Sequence, residues 1–162
     1  MEKVALGKTG LEVTRLGVGL SEIGSELSFD EVEQAGALLN AALDRGVNFL
    51  DTAACYGISE ELIGMTVAGR RDEYVLASKA GHIRDDYQGE EWSYQTVADS
   101  VDRSLVRMKV EYIDILQLHS CGIDVLERGD AIRALEDAKA AGKIGHVSYS
   151  GDNEAAHWAV DS

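Results

Sequence analysis

The 162-residue sequence is poor in cysteine and in basic residues, and it has no long apolar run. Two cysteines are too few for a disulfide framework, so we expect a reducing, cytoplasmic environment. No apolar stretch approaches the ~20 residues of a membrane-spanning helix, and none follows the first lysine as in a signal peptide. The 15 Lys and Arg residues against 29 Asp and Glu give a net charge of −14. That balance argues against nucleic-acid binding, which requires a basic face. Proline is absent too, and we have no physical account of that.

The sequence contains a regular alternation of short apolar segments and longer segments with helical spacing. The predicted strands are residues 15–20, 47–52, 74–79, 113–119 and 143–150. Several of them are nearly continuous apolar runs, which is typical of parallel strands that are buried on both faces. Alternation of this kind predicts an α/β fold with a parallel sheet and right-handed crossovers.

Helix boundaries are also readable. Ser28 and Glu31 form a capping box ahead of a helix that should end near Asp44. Further helices should begin near residues 59, 93, 124 and 153, and the one from 124 should continue to residue 142. Glu60 and Glu61 suit the positive end of the helix at 59. Residues 4–6 and 11–13 predict a small hairpin before the first parallel strand. We expect one domain over residues 1–162.

Ionisable side chains end three successive predicted strands. These are Asp51, Lys79 and His119, and Tyr56 follows Asp51 by one short loop. Each alone has a structural explanation, as a helix cap, a solvated lysine or a core histidine. Because the carboxyl ends of parallel β/α strands form the active-site face, three such residues together predict a shared site.

Residues 51–64, DTAACYGISEELIG, resemble the D-T-A-x-x-Y-G-x-S-E-x-x-x-G signature of aldo-keto reductases. Ala77-Ser78-Lys79 resembles that family's lysine strand, residues 116–119 its histidine strand, and residues 6–13 its N-terminal hairpin. The resemblance implies a TIM (β/α)8 barrel of aldo-keto reductase type. Five β/α units plus the hairpin would make an incomplete one, since a full barrel needs ~250 residues.

The resemblance implies an oxidoreductase that reduces aldehydes or ketones to alcohols with hydride from NADPH, or alternatively NADH. Such a reaction needs a proton donor and polarisation of the carbonyl oxygen. Tyr56 would be the general acid, and the Lys79 ammonium would stabilise the phenolate. Asp51 would hold Lys79 charged, and His119 would donate a hydrogen bond to the substrate oxygen.

Cofactor contacts carry weaker signals. Gly17-Val18-Gly19 lacks the G-x-G-x-x-G spacing, and we expect no helix directly after it, so Gly19 is a weak candidate. Ser150 aligns with the serine that contacts the nicotinamide carboxamide in the resembled family. The next residue, commonly Asn there, is Gly151 here. Asp51 would also approach the nicotinamide ribose.

Other candidates receive structural interpretations. The remaining histidines lack metal-ligand spacing, so we assign no metal. Cys55 and Cys121 are interpreted as small buried filler, with redox sensing second. Trp92 is expected in a solvated loop, with a substrate-wall role less favoured.

The length leaves three interpretations open. The chain is part of a reductase, or a non-catalytic regulatory or nucleotide-sensing module of the same fold, or a structural remnant without a ligand. In the resembled family, the cations that grip the adenosine phosphates come from later strands. We therefore expect little NADPH binding or turnover by this chain alone. A small carbonyl compound is the expected substrate partner, without nucleic acid or membrane. The exposed sheet edges should lead either to self-association or to a partly molten tail from about Gly142 onward.

Overall fold

A computed structural model describes residues 1–84 and 87–161 and contains a five-stranded parallel sheet with a separate hairpin. The hairpin strands are β1 (Lys3–Ala5) and β2 (Glu12–Thr14). The sheet has the order β3 (Val18–Gly19), β4 (Phe49–Asp51), β5 (Val75–Ala80), β6 (Ile113–His119) and β7 (Ile144–Ser150). All four strand pairs are parallel, which confirms the predicted α/β fold.

Helices follow the strands as the alternation predicted. They are α1 (Ser21–Glu26), α2 (Val32–Asp44), α3 (Ser59–Thr66), α4 (Tyr94–Met108), α5 (Ile123–Arg128), α6 (Asp130–Ala140) and α7 (Asn153–Asp161). Short 3₁₀ segments cover Phe29–Glu31 and Ala68–Glu73. The predicted capping box forms over the first of these, where the Ser28 amide donates to the Glu31 carboxylate at 3.1 Å.

The two faces of the sheet are buried differently. The helices cover one face in a large apolar cluster that includes Leu50, Leu76 and Leu116. The other face has a small cluster of Val13, Val75, Ala77 and Ile115, with hairpin residues Leu6 and Leu11 packed against it. The Asn48 side chain, at the start of β4, bonds the backbone of Thr14 and of Glu12. The hairpin therefore lies against the amino ends of the strands and leaves the carboxyl ends open.

Two helix predictions are wrong. The helix expected from 124 to 142 is divided into α5 and α6 by Gly129, whose φ of +77° is a left-handed conformation that ends α5. No helix was expected directly after Gly19, yet α1 begins at Ser21. Six residues with little periodicity give no clear helical signal, so α1 forms through tertiary contacts.

The sheet edges are β3 and β7, so the barrel is incomplete, as the strand count predicted. The β7 edge continues into an apolar groove beside α7 that is lined by Val147, Tyr149 and Trp158. Association through these edges stays a prediction. Within the described ranges, no helix is both long and apolar enough to cross a membrane.

Candidate active site

The carboxyl ends of β4, β5 and β6 bring Asp51, Lys79 and His119 to one rim of the sheet. Asp51 pairs in register with Ala77, and Lys79 with Gln117, so successive strands extend progressively further. The stagger lets side chains from three strands converge above the small inner cluster. Tyr56 joins them from the loop between β4 and α3, which confirms the predicted proximity of these four residues.

Lys79 is the centre of this cluster. Its side chain is 5% exposed, and its Nζ donates to Asp51 Oδ2 and to the Thr52 carbonyl oxygen, both at 2.8 Å. The same Nζ lies 4.7 Å from the centre of the Tyr56 ring. A buried ammonium is stable only when it is paired and hydrogen-bonded, and these contacts supply both. Lys79 is therefore held as a cation facing the tyrosine.

The loop that carries Tyr56 is fixed by α1. The Ile58 amide donates to the Gly24 carbonyl at 3.0 Å, and a Cβ added at Gly24 would collide with the Tyr56 carbonyl oxygen. Gly57 has a φ of +50°, and a Cβ added there would collide with the Gly24 carbonyl oxygen. The unpredicted helix α1 therefore fixes the position of Tyr56 at the carboxyl ends of the strands.

His119 is half-buried beside the tyrosine. Its ring centre lies 5.7 Å from that of Tyr56 and 5.1 Å from that of His82, both edge to face. Burial, followed by repulsion from His82 and from Lys79, lowers the pKa of His119 from 6.5 to about 4. At neutral pH the imidazole is therefore uncharged and carries one N–H.

Three residues near His119 were not predicted to belong to the site. Cys55 is exposed, not buried filler, and its Sγ lies 3.3 Å from His119 Nδ1; the prediction holds for Cys121, which is 2% exposed. Trp92 is half-buried, not fully solvated, and its Nε1 donates to the His119 carbonyl oxygen at 2.9 Å. His82 lies against both rings and contacts Glu91 at 3.1 Å. For Cys55, the one sequence signal was its place inside the 51–64 signature.

Glu60 stabilises the strand that carries Lys79. It lies in the first turn of α3, as predicted, and its side chain is fully buried. It accepts from Ser78 Oγ at 2.7 Å and from Arg107 Nε at 2.8 Å. Since Ser78 precedes Lys79 on β5, this pair ties α3 and α4 to the lysine strand.

The candidate cofactor residues flank the four. Gly19 pairs in register with Asp51 and is exposed, with open space where a Cβ would be. Ser150 pairs with His119 on the opposite side, and its carbonyl accepts from the Ser120 amide at 2.7 Å. In the described part of the chain, no group of three or more His, Cys, Asp or Glu side chains is placed to hold a metal ion.

The sequence model of the aldo/keto reductase family matches residues 15–160 of this chain. The uncharacterized oxidoreductase YqkF of Bacillus subtilis (strain 168) is 35% identical over 155 residues, which cover 93% of this chain and 49% of that protein. L-galactose dehydrogenase of Arabidopsis thaliana is 33% identical over 158 residues, again 93% and 49%. A solved putative aldo-keto reductase from Pseudomonas aeruginosa is 34% identical with a TM-score of 0.86, covering 99% of this chain and 64% of that one. The chain spans about half the length of the curated relatives it matches.

Proposed function

This chain belongs to the aldo/keto reductase family, and from that premise we propose that it supplies the catalytic half of an enzyme that reduces aldehydes or ketones to alcohols with NADPH. The observation that carries the proposal is the position of the Lys79 ammonium. It is bonded to Asp51 at 2.8 Å and faces the Tyr56 ring at 4.7 Å. A phenol beside a held cation is suited to proton transfer, because the cation stabilises the phenolate that the transfer leaves.

The residues divide the chemistry as follows. Tyr56 donates its hydroxyl proton to the oxygen of the carbonyl as it becomes an alkoxide. Lys79, held by Asp51, stabilises the resulting phenolate. Neutral His119 donates a hydrogen bond to the same oxygen and so polarises it without a second proton transfer. NADPH, when bound, supplies the hydride to the carbonyl carbon.

The rim fits the nicotinamide end of the cofactor better than its phosphates. Gly19 leaves open space beside Asp51, whose Oδ1 has only a 3.4 Å contact with Gln117, so a ribose hydroxyl could be accepted there. Ser150 lies on the far side of His119, where it would contact the carboxamide. The cations near this rim are engaged, Lys79 with Asp51 and Arg84 with Glu61 at 2.9 Å. With a net charge of −14, this chain needs phosphate-binding cations from elsewhere.

The test is a chimaera in which the second half of the YqkF chain follows α7. We expect NADPH-dependent reduction of a small aldehyde by this completed barrel. Tyr56→Phe should abolish it while NADPH affinity, measured by fluorescence titration, stays within about twofold, since the substitution removes only the proton donor. Lys79→Met should be similarly damaging.

Tyr112→Phe is the matched control, because Tyr112 is 40% exposed and lies at the opposite end of β6. It should leave the rate unchanged. Reduction at the wild-type rate by the Tyr56→Phe chimaera would eliminate Tyr56 as the acid. NADPH binding without any turnover in the unmutated chimaera would instead favour the nucleotide-sensing alternative.

A further inference from the structure

The Cys55 thiol contacts the site but has no part in the mechanism above. It belongs to the loop that carries Tyr56, and its Sγ lies 3.3 Å from His119 Nδ1, within hydrogen-bonding distance for sulfur. This contact joins the β4–α3 loop to the end of β6. Among the described residues, Cys55 is the one whose side chain lies within hydrogen-bonding distance of a ring nitrogen of His119.

Which nitrogen of a neutral imidazole carries the proton depends on its hydrogen-bond partners. If the thiol donates to Nδ1 of His119, the proton lies on Nε2, and Nε2 can donate to a substrate oxygen. If Nδ1 donates to the sulfur instead, Nε2 is bare and can only accept. The two arrangements have the same heavy-atom geometry but opposite consequences for a carbonyl ligand.

Chemistry favours the first arrangement. A thiol is a weak donor, yet an imidazole nitrogen is a much better acceptor than a thiol sulfur. The Cys55 side chain is exposed overall, but partial desolvation of its sulfur raises the thiol pKa above its ordinary value, so the S–H remains available at neutral pH. The low pKa of His119, about 4, keeps the ring neutral at pH 7, so one of its two nitrogens is available as an acceptor.

Among the described residues, no other side chain hydrogen-bonds Nδ1 of His119. His82 and Tyr56 meet the ring edge to face at centroid distances of 5.1 and 5.7 Å. Trp92 bonds the backbone oxygen of His119 and not its ring. Lys79 is engaged by Asp51 and by a backbone oxygen.

We propose that Cys55 is a positioning residue, whose S–H donates to His119 Nδ1 and fixes the tautomer with the proton on Nε2. Its importance for reduction rests on the function proposed above, whereas the tautomer itself does not. Because the side chain of Cys55 is exposed, its replacement should disturb the packing little.

The test is long-range ¹H–¹⁵N NMR of the histidine rings in the 162-residue chain at pH 7. We expect His119 to have the proton on Nε2 in the wild-type chain. In Cys55→Ala the ratio of the Nε2–H to the Nδ1–H form should fall by about twofold, the factor for a net hydrogen bond at the weak end of the usual range, since a thiol is a weak donor. Cys55→Ser, which keeps a donor, should restore most of it. Cys121→Ala removes the other thiol and should leave the ratio unchanged.

An Nδ1–H tautomer in the wild-type chain, or an unchanged ratio in Cys55→Ala, would overturn the proposal. In the chimaera, Cys55→Ala should lower kcat with little change in KM, and Cys55→Ser should recover it. If the tautomer shifts as expected but the unmutated chimaera has no reductase activity, the proposed function fails and the positioning role stands. If the chimaera is active and the tautomer does not respond, the positioning role alone fails.

Discussion

Replacing Arg107 with Met should destabilise the chain far more than loss of an ordinary surface arginine. The Arg107 side chain is 12% exposed, and its Nε donates at 2.8 Å to Glu60, which has no exposed surface. Methionine preserves the apolar part of the side chain but leaves the buried carboxylate with Ser78 as its remaining partner. Breaking a buried ion pair in this way costs about 3–5 kcal/mol. Typical domains have only about 5–15 kcal/mol of stability, so the loss should be large.

Urea unfolding followed by circular dichroism, at protein concentrations low enough for the midpoint to be concentration-independent, measures this loss. Arg15→Met is the matched control, because Arg15 lies 3.9 Å from Glu2 and both side chains are about two-thirds exposed. An exposed pair contributes about 0–1 kcal/mol, so the control should shift the midpoint little.

A second substitution separates the lost attraction from the stranded charge. Adding Glu60→Gln to Arg107→Met removes the unpaired carboxylate, so the double variant should be more stable than Arg107→Met alone. If Arg107→Met costs less than about 1 kcal/mol, or if Glu60→Gln makes the double variant less stable still, the buried-pair reasoning is wrong.

Three further predictions concern the loop, the histidine and the cofactor. Gly24→Ala should destabilise the chain by about 1–3 kcal/mol in urea unfolding and shift the Tyr56 amide resonances, because the added methyl collides with the Tyr56 carbonyl oxygen. In the control Gly69→Ala, the added methyl meets nothing within 4 Å, so the free energy of unfolding should hardly change. His119 should titrate near pH 4 by NMR, and a titration midpoint above pH 6 would contradict the burial argument. Because its pKa in the folded chain lies below the unfolded value of 6.5, the unfolded chain binds the proton more tightly. The free energy of unfolding should therefore fall as the pH drops from 6.5 to 4. The 162-residue chain alone should bind NADPH weakly and turn nothing over, and it should either elute as an associated species on size-exclusion chromatography or have a partly molten tail from about Gly142 onward. Micromolar NADPH binding by a well-behaved monomer would refute this.

The parallel sheet was predictable because its signals are local. Strands buried on both faces are apolar throughout, and the helices between them have apolar residues that recur about every 3.6 positions. Each element can therefore be predicted from a short segment of sequence. The rim followed from topology, since parallel strands place their carboxyl ends together and Asp51, Lys79 and His119 each end a strand. Their catalytic roles stay predictions.

The failures depend on contacts between residues distant in sequence. The helix-start position of Glu60 was predicted, but its burial was not, because its partner Arg107 lies 47 positions later in the sequence. Cys55 resembles filler until β6 places His119 beside it, 64 positions later. No window of sequence contains both partners, so neither contact has a local signal. Gly129 is different, because its left-handed conformation is a local choice that the continuous apolar pattern concealed.

The proposed catalytic residues and the proposed cofactor-binding residues lie on different kinds of strand. Asp51, Lys79 and His119 lie on β4, β5 and β6, each paired with a strand on both sides, so their geometry is set within this chain. Gly19 and Ser150 lie on β3 and β7, the two edges, where one side has no partner in the described chain. An edge strand is freer to twist and fray than a central one. Completing the barrel should therefore change the surroundings of Gly19 and Ser150 far more than the contact between Lys79 and Asp51. Chemical shifts compared between the 162-residue chain and the chimaera should differ most at Gly19 and Ser150. Equally large changes at Asp51, Lys79 and His119 would contradict this reasoning.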